Sequence, residues 1–225
     1  MKCYCCDDEM AQIIKPKVFK CQQCAHIFRN FSINEQQFYQ KYRETHKTYP
    51  TQVREKYISN LLGLIGPFLD RTHTILEVGS GDGLFALSVK KYVDEVVCCE
   101  LDGNLAEQLS SRGFETFNKD LLLLNEERIF DSVVALDVIE HVKDLNLMVE
   151  KMSRIAKQVI IQVPVDRAIH QKEPFDGHYH YFSPQSLISV FSELFTVTYL
   201  KEKTDRKFIA NGPEMIAVFK NKRLF

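Results

Sequence analysis

Nowhere in these 225 residues is there an apolar run of the ~18 residues that a membrane-spanning helix requires, so no bilayer span is expected. The opening MKCYCCDDEM lacks the basic-then-apolar layout of an export signal, and a cytoplasmic location is the expectation. Neither sign of charge dominates: 29 Lys and Arg face 30 Asp and Glu, a formal net charge of -1. Such a balance provides no strong field to gather phosphate backbones or anionic lipid. Nucleic acid is therefore not a favoured partner. Glycine is scarce, at nine, in a chain that is 45% hydrophobic and 26% charged. That is the composition of a folded domain, and the length suits one ordinary domain with a small appendage.

Cysteine is not scarce, and five of the seven lie in the first 24 residues. In a reducing compartment that clustering suggests a metal rather than disulfides. Cys3 and Cys6 form one C-x-x-C, Cys21 and Cys24 a second, and 14 residues separate the pairs. Two such turns can aim four thiolates at one tetrahedral ion, with KPKVFK as a hairpin strand between them. The expectation is a zinc ribbon, with a structural ion because four sulfurs leave no open position. Cys5 can replace Cys3 or Cys6 in this set, and His26 can replace Cys24. Reactive thiols or a redox pair are the competing reading.

Residues 34–47 and 52–70 have helical periodicity, the second ending near Gly66-Pro67 or running on to Asp70. From residue 74 strand and helix patterns alternate: TILEVG, LFALSVKKY, DEVVCCE, NLAEQLSSRG, ETFNKD, DSVVALDV, LNLMVEKMSRIA, QVIIQVP and SPQSLISVFSEL, then the strands FTVTYLKEK and EMIAVFK. Apolar strands separated by helices predict a mostly parallel sheet covered on both faces, an α/β Rossmann-like fold. The last two strands have no crossover helix between them and are expected to pair antiparallel. Cys98 and Cys99 fall inside the second strand as buried apolar residues, and Ser183-Pro184 reads as a helix N-cap followed by a first-turn proline.

The first strand runs into glycines at 79, 81 and 83. A glycine turn there lets backbone N–H groups and the next helix approach a ligand closely, at the crevice beyond the strand ends. Glu77 sits just before it, on a central strand, where a carboxylate is costly without a partner. A ligand ammonium or a set of backbone donors would serve. The second strand ends in Glu100, 19 residues after Gly81, placed to accept from two ribose hydroxyls. At the third strand end, Asp120 can accept from an adenine amino group while Leu121 covers the ring. Ammonium, ribose and adenine together describe S-adenosylmethionine.

Through ILEVGSGDG, VVCCELD, NKDL, FDSVVALDVIEHV and VIIQVP, roughly residues 70 to 220, the sequence resembles class I S-adenosylmethionine-dependent methyltransferases. It looks most like the branch with ubiquinone-biosynthesis O-methyltransferases and small-molecule methyltransferases. The resemblance implies a seven-stranded sheet with a terminal antiparallel hairpin. It implies cofactor contacts at Glu77, Gly79, Gly81, Glu100, Leu101, Asp120 and Leu121, and contacts at the cofactor's edge near Asp137 and Val138. The expected divisions are a zinc ribbon at 1–31, a helical linker or cap at 32–72 and the methyltransferase domain at 73–225.

Methyl transfer to a hydroxyl needs alignment and a proton acceptor. Two histidine sites follow the fourth and fifth strands: His141 in DVIEHV, and His178 and His180 in DGHYHYFSP. In an extended segment His178 and His180 would share one face. His178 is the first candidate base or substrate contact and His141 the second. A metal on the paired histidines would need a third ligand, for which Asp176 is the candidate. The expected reaction is methylation of a small acceptor, at an oxygen of a sugar or glycan precursor or another metabolite. The alternatives are an RNA or protein methyltransferase that uses the ribbon to hold its substrate, and a cofactor-binding protein without catalysis.

Overall fold

Alternating side chains along the central strands divide the core into two layers. In the strand Thr74–Val78, Ile75 enters one apolar cluster, with Cys98, Val134 and Ile160, while Leu76 and Val78 enter another, with Val97, Cys99, Val133 and Ile161. A sheet apolar on both faces must be covered on both. The first layer is closed by Ile58, Leu61, Leu62 and Ile65 of one helix and by Phe85, Ala86 and Val89 of the next. The second is closed by Leu145, Met148 and Met152, by Leu187 and Phe191, and by Cys3, Cys21, Cys24 and Phe28 from the amino-terminal segment.

The structure is a computed structural model and describes residues 1–12, 17–31, 50–165, 177–203 and 214–224. The helix expected at 34–47 and the ligand candidate Asp176 lie outside these residues. In chain order the elements are β1 (Met10–Gln12), β2 (Val18–Cys21), β3 (Ile27–Arg29), α1 (Thr51–Ile65), β4 (Thr74–Val78), α2 (Leu84–Val89), β5 (Glu95–Cys99), α3 (Gly103–Ser111), β6 (Glu115–Phe117), β7 (Phe130–Leu136), α4 (Leu145–Ile155), β8 (Ala156–Pro164), β9 (His180–Tyr181), α5 (Pro184–Phe191), β10 (Phe195–Lys203) and β11 (Glu214–Asn221). After α1, Gly66–Phe68 tighten into a 3-10 turn, because Pro67 cannot donate to an α-helical ladder.

Seven strands form one sheet in the order β10-β11-β8-β7-β4-β5-β6. The pairs β4–β5, β4–β7, β5–β6 and β7–β8 are parallel, whereas β11 runs antiparallel to both β8 and β10. This is the expected fold, with its terminal hairpin. The chain enters the sheet at β4, winds outward to β6, and returns on the other side of β4 through β7. The carboxyl ends of β4 and β7 therefore bound the switch point, where an open α/β sheet leaves a crevice for a ligand.

Cys98 and Cys99 are buried in β5, and burial pushes both thiols up to about 12. Ser183 caps α5 in a reciprocal capping box with Ser186. Among the described residues no helix is long and apolar enough to cross a membrane.

The amino-terminal strands belong to a second sheet, β1-β2-β3-β9, whose last strand comes from the large domain. Ile27 pairs with Tyr181 and Phe28 with His180, and Arg29 N–H donates to Tyr179 O at 2.8 Å. The ribbon is thus joined to the segment that carries the candidate histidines.

Candidate active site

The turn after β4 holds Gly79, Gly81 and Gly83 at φ +68°, +56° and +75°, left-handed values that favour glycine. At Gly79 a Cβ would lie 2.6 Å from Val138 Cγ2, and at Gly83 one would lie 2.5 Å from Leu109 Cδ2. The first approach joins the ends of β4 and β7 across the switch point. The second seats the start of α2 against α3. Glu100 holds the turn in shape: its carboxylate accepts from Gly81 N–H at 2.7 Å and from Asp102 N–H at 2.9 Å. A carboxylate offers about four lone-pair sites, so two remain for ribose hydroxyls. Burial raises the Glu100 pKa, opposed by these backbone donors.

Glu77 is 4% exposed, and its Oε2 has no hydrogen-bond partner among the described residues. Burial, then the Glu100 and Asp82 carboxylates, hold its pKa well above the ordinary carboxylate value. An orphaned acceptor beside a bare glycine turn suits a ligand ammonium. Asp120 caps a 3-10 turn by accepting from Leu122 N–H at 2.9 Å. Leu121 is 2% exposed, and its side chain packs in the core. The open apolar flank at this end is Leu101, 50% exposed.

Asp137, at φ +54°, follows β7 beside the crevice and is open to solvent through it. Its carboxylate accepts from Gln162 Nε2 at 3.1 Å. Desolvation by its neighbours first, then the Glu214 carboxylate, raise its pKa. Glu214 in turn accepts from Tyr57 of α1 at 2.9 Å. Tyr57, Gln162 and Glu214 were not foreseen. One signal was available: Gln162 interrupts the apolar run VIIQVP as Glu77 interrupts TILEV, and a polar side chain inside a central parallel strand needs a partner.

Past Asp137 the chain makes a 3-10 turn, Ile139–His141, which packs against the β9 segment through Tyr179 N–H to Glu140 O at 2.8 Å. His141 Nδ1 lies 3.0 Å from Gly177 O, a group that only accepts. In the neutral ring Nδ1 therefore carries the hydrogen and Nε2 keeps its lone pair. The rings of His141 and His178 meet edge to face, with centroids 4.6 Å apart. Buried Glu140 brings a carboxylate to the same place, with ligand atoms of Glu140, His141 and His178 all within 4.8 Å of one another. This carboxylate joins His178 to His141 rather than to His180, and Asp176 lies outside the described residues. The trio can exchange protons or hold a cation.

His180 is not part of that trio, contrary to the shared face expected with His178. Gly177 adopts φ +74° and the chain bends at Tyr179, so strand alternation does not run through the segment. The His180 ring is buried instead between strand and ribbon. Its Nε2 is 3.3 Å from Lys143 O and its Nδ1 is 3.0 Å from His26 Nε2. Burial, then His26, lower its pKa to about 3.

The four sulfurs of Cys3, Cys6, Cys21 and Cys24 lie within 4.8 Å of one another, with Cys3–Cys24 at 3.6 Å and Cys6–Cys21 at 3.5 Å. A tetrahedral ion with Zn–S bonds of about 2.3 Å requires S–S edges of roughly 3.8 Å. The donor set fits. Each pair is followed by a left-handed residue, Asp7 at φ 57° and Ala25 at φ 58°, so the two turns repeat one shape. Cys5 N–H donates to Cys3 Sγ at 3.4 Å, while the Cys5 side chain groups with Cys3 and His26. His26 Nδ1 is 3.6 Å from Cys3 Sγ, so His26 connects the sulfur cluster to His180.

Sheet order, switch-point crevice and glycine turn together define a nucleotide-type α/β protein. A family model described as a methyltransferase domain matches residues 49–198, well over half of the sequence, and the chain belongs to that family. No curated protein matches the sequence. Among solved structures, the chain is similar to the N-methyltransferase NodS from Bradyrhizobium japonicum WM9 in complex with S-adenosyl-L-homocysteine (TM-score 0.60, 14% identity, 76% of this chain and 86% of that one). It is also similar to the PH0226 protein from Pyrococcus horikoshii OT3 (TM-score 0.64, 17% identity, 80% and 99%). A third is magnesium protoporphyrin IX methyltransferase from Synechocystis PCC 6803 with bound S-adenosyl-L-homocysteine (TM-score 0.59, 12% identity, 76% and 84%). At these identities the likeness is one of fold.

Proposed function

We propose that this methyltransferase takes its methyl group from S-adenosylmethionine and passes it to an oxygen of a small acceptor, a sugar or glycan precursor or a similar metabolite. The carrying observation is the row of acids at three adjacent strand ends: Glu77 on β4, Glu100 after β5 and Asp120 after β6. Glu77 Oε2 receives the ammonium, Glu100 the ribose hydroxyls and Asp120 the adenine amino group, with Leu101 beside the ring and Leu121 offering its backbone. Gly79 and Gly81 leave room for the ligand, and Asp137 and Val138 border its reactive end. When bound, the cofactor supplies a methyl group on a sulfonium, open to in-line attack.

Calorimetric titration tests this placement. One equivalent of S-adenosyl-L-homocysteine is expected to bind and NAD to give no heat; the reverse result would overturn it.

In the same reading His178 takes the proton of the acceptor hydroxyl, and His141 braces it, its own ring held by Gly177 O. His178→Ala is expected to lower kcat by about 10²–10⁴-fold with unchanged affinity for S-adenosyl-L-homocysteine, and His141→Ala by less. Turnover at the wild-type rate in His178→Ala would move the base elsewhere. Cys3, Cys6, Cys21 and Cys24 hold a structural zinc ion, which braces the acceptor loop from behind through β3 and β9.

A further inference from the structure

The sheet order supplies a measure of where the acceptor enters. With adenine over β6, ribose over β5 and the amino-acid end over β4, the cofactor leaves the next strand ends, β7, β8 and β11, uncovered for an acceptor, each about 4.8 Å further along. Those ends carry Asp137, Gln162 and Glu214, with Tyr57 of α1 above them.

Among the described residues at these ends, the polar groups left without a full set of partners are acceptors. Tyr57 already donates to Glu214, and the Gln162 amide already donates through Nε2 to Asp137. The other arm of that amide, Oε1, is fully buried with no hydrogen-bond partner among the described residues, on a side chain that is 0% exposed. A buried amide oxygen on the side chain that holds Asp137 calls for a donor that the described residues do not provide.

Charge narrows the choice of donor. Lys203 is the nearby cation, but its Nζ sits over the Tyr57 ring, 5.0 Å from the centroid, and among the described residues no cation is within ion-pair distance of either carboxylate. Among the described residues, two carboxylates therefore face one lysine, which pairs with neither of them. Desolvation raises the proton affinity of both, and at Asp137 the Glu214 carboxylate adds to it. A neutral hydroxyl would satisfy the hydrogen bonds, whereas a protonated amine satisfies the hydrogen bonds and relieves the repulsion.

We infer that Asp137, Gln162 and Glu214, steadied by Tyr57, form an acceptor subsite that seats a protonated amine, so that the methylated metabolite is an amino-bearing polyol such as an amino sugar. The amine is the handle and the methyl group goes to a neighbouring hydroxyl. This inference rests on the cofactor orientation proposed above.

The test uses glucamine and sorbitol, polyols that differ by one amine in place of a hydroxyl, titrated at neutral pH into the full chain with and without S-adenosyl-L-homocysteine. Glucamine is expected to bind at least tenfold more tightly than sorbitol. Glu214→Gln, which keeps an oxygen for Tyr57, is expected to shrink that preference below threefold while affinity for S-adenosyl-L-homocysteine stays unchanged. Equal binding of the two polyols, no binding of glucamine, or a preference that survives Glu214→Gln would overturn the inference. Failure of S-adenosyl-L-homocysteine to bind would instead sink the cofactor reading, and the preference measured without it would still decide the amine subsite.

Discussion

Gly79→Val is expected to weaken binding of S-adenosyl-L-homocysteine by roughly 100-fold while the protein stays folded. The backbone at Gly79 sits at φ +68°, a conformation in which a β-branched residue is strained by about 1–3 kcal/mol. A Cβ there would also lie 2.6 Å from Val138 Cγ2, at the start of the 3-10 turn after β7, so that one of the two must shift. The loop would relax instead, and a relaxed loop must return to the strained shape each time the ligand binds. At about 1.4 kcal/mol per tenfold, a combined penalty near 3 kcal/mol gives the expected loss. Global stability of ~5–15 kcal/mol absorbs the same penalty. Calorimetry reads the affinity, and circular dichroism checks the fold. An affinity within a few-fold of wild type would mean that the ligand does not lie against this turn.

Local chemistry made much of this legible. The Ser183 cap with Pro184 and the glycine turn each rest on residues within a few positions of one another, and the terminal hairpin joins strands that follow each other in the chain with no helix between them, so sequence pattern and backbone preference coincide. What escaped notice depends on long-range approach. Tyr57 and Glu214 are 157 residues apart, and His26 and His180 are 154 apart, so no window of sequence contains either pair. The face of His180 was misread for a smaller reason. Alternation holds only while the chain stays extended, and the bend between Gly177 and Tyr179 resets it. Leu121 shows the same limit, since the 3-10 turn after Asp120 buries its side chain in the core and no local pattern announces that turn.

The other large effect is expected from replacing Cys21 and Cys24 together with serine, and it should reach well beyond the metal. About one zinc per chain should be lost, as read by atomic absorption. The ribbon strands are only 3 or 4 residues long, too short to fold on their own apolar area. With the zinc ion proposed above in place, their order draws on metal–thiolate binding, worth an apparent ~10–16 kcal/mol in small zinc modules at neutral pH. That energy also covers the left-handed Asp7 and Ala25, each costing about 1–2 kcal/mol. Losing it releases β3 from β9, and with it the Arg29–Tyr179 backbone bond, the His26–His180 contact and the Ser183 hydroxyl bond to Cys24 O at 2.6 Å. The segment so freed includes His178, while Glu77, Gly81 and Glu100 lie on β4 or directly after β4 and β5, strands the ribbon does not pair with. The variant should therefore keep its affinity for S-adenosyl-L-homocysteine, lose turnover, and exchange the amide hydrogens of Tyr179 and Tyr181 faster than wild type. Stoichiometric metal in the variant would refute the ligand set. Unchanged protection at Tyr179 and Tyr181 after metal loss would show that β9 holds its place unaided, leaving the ribbon no part in positioning His178.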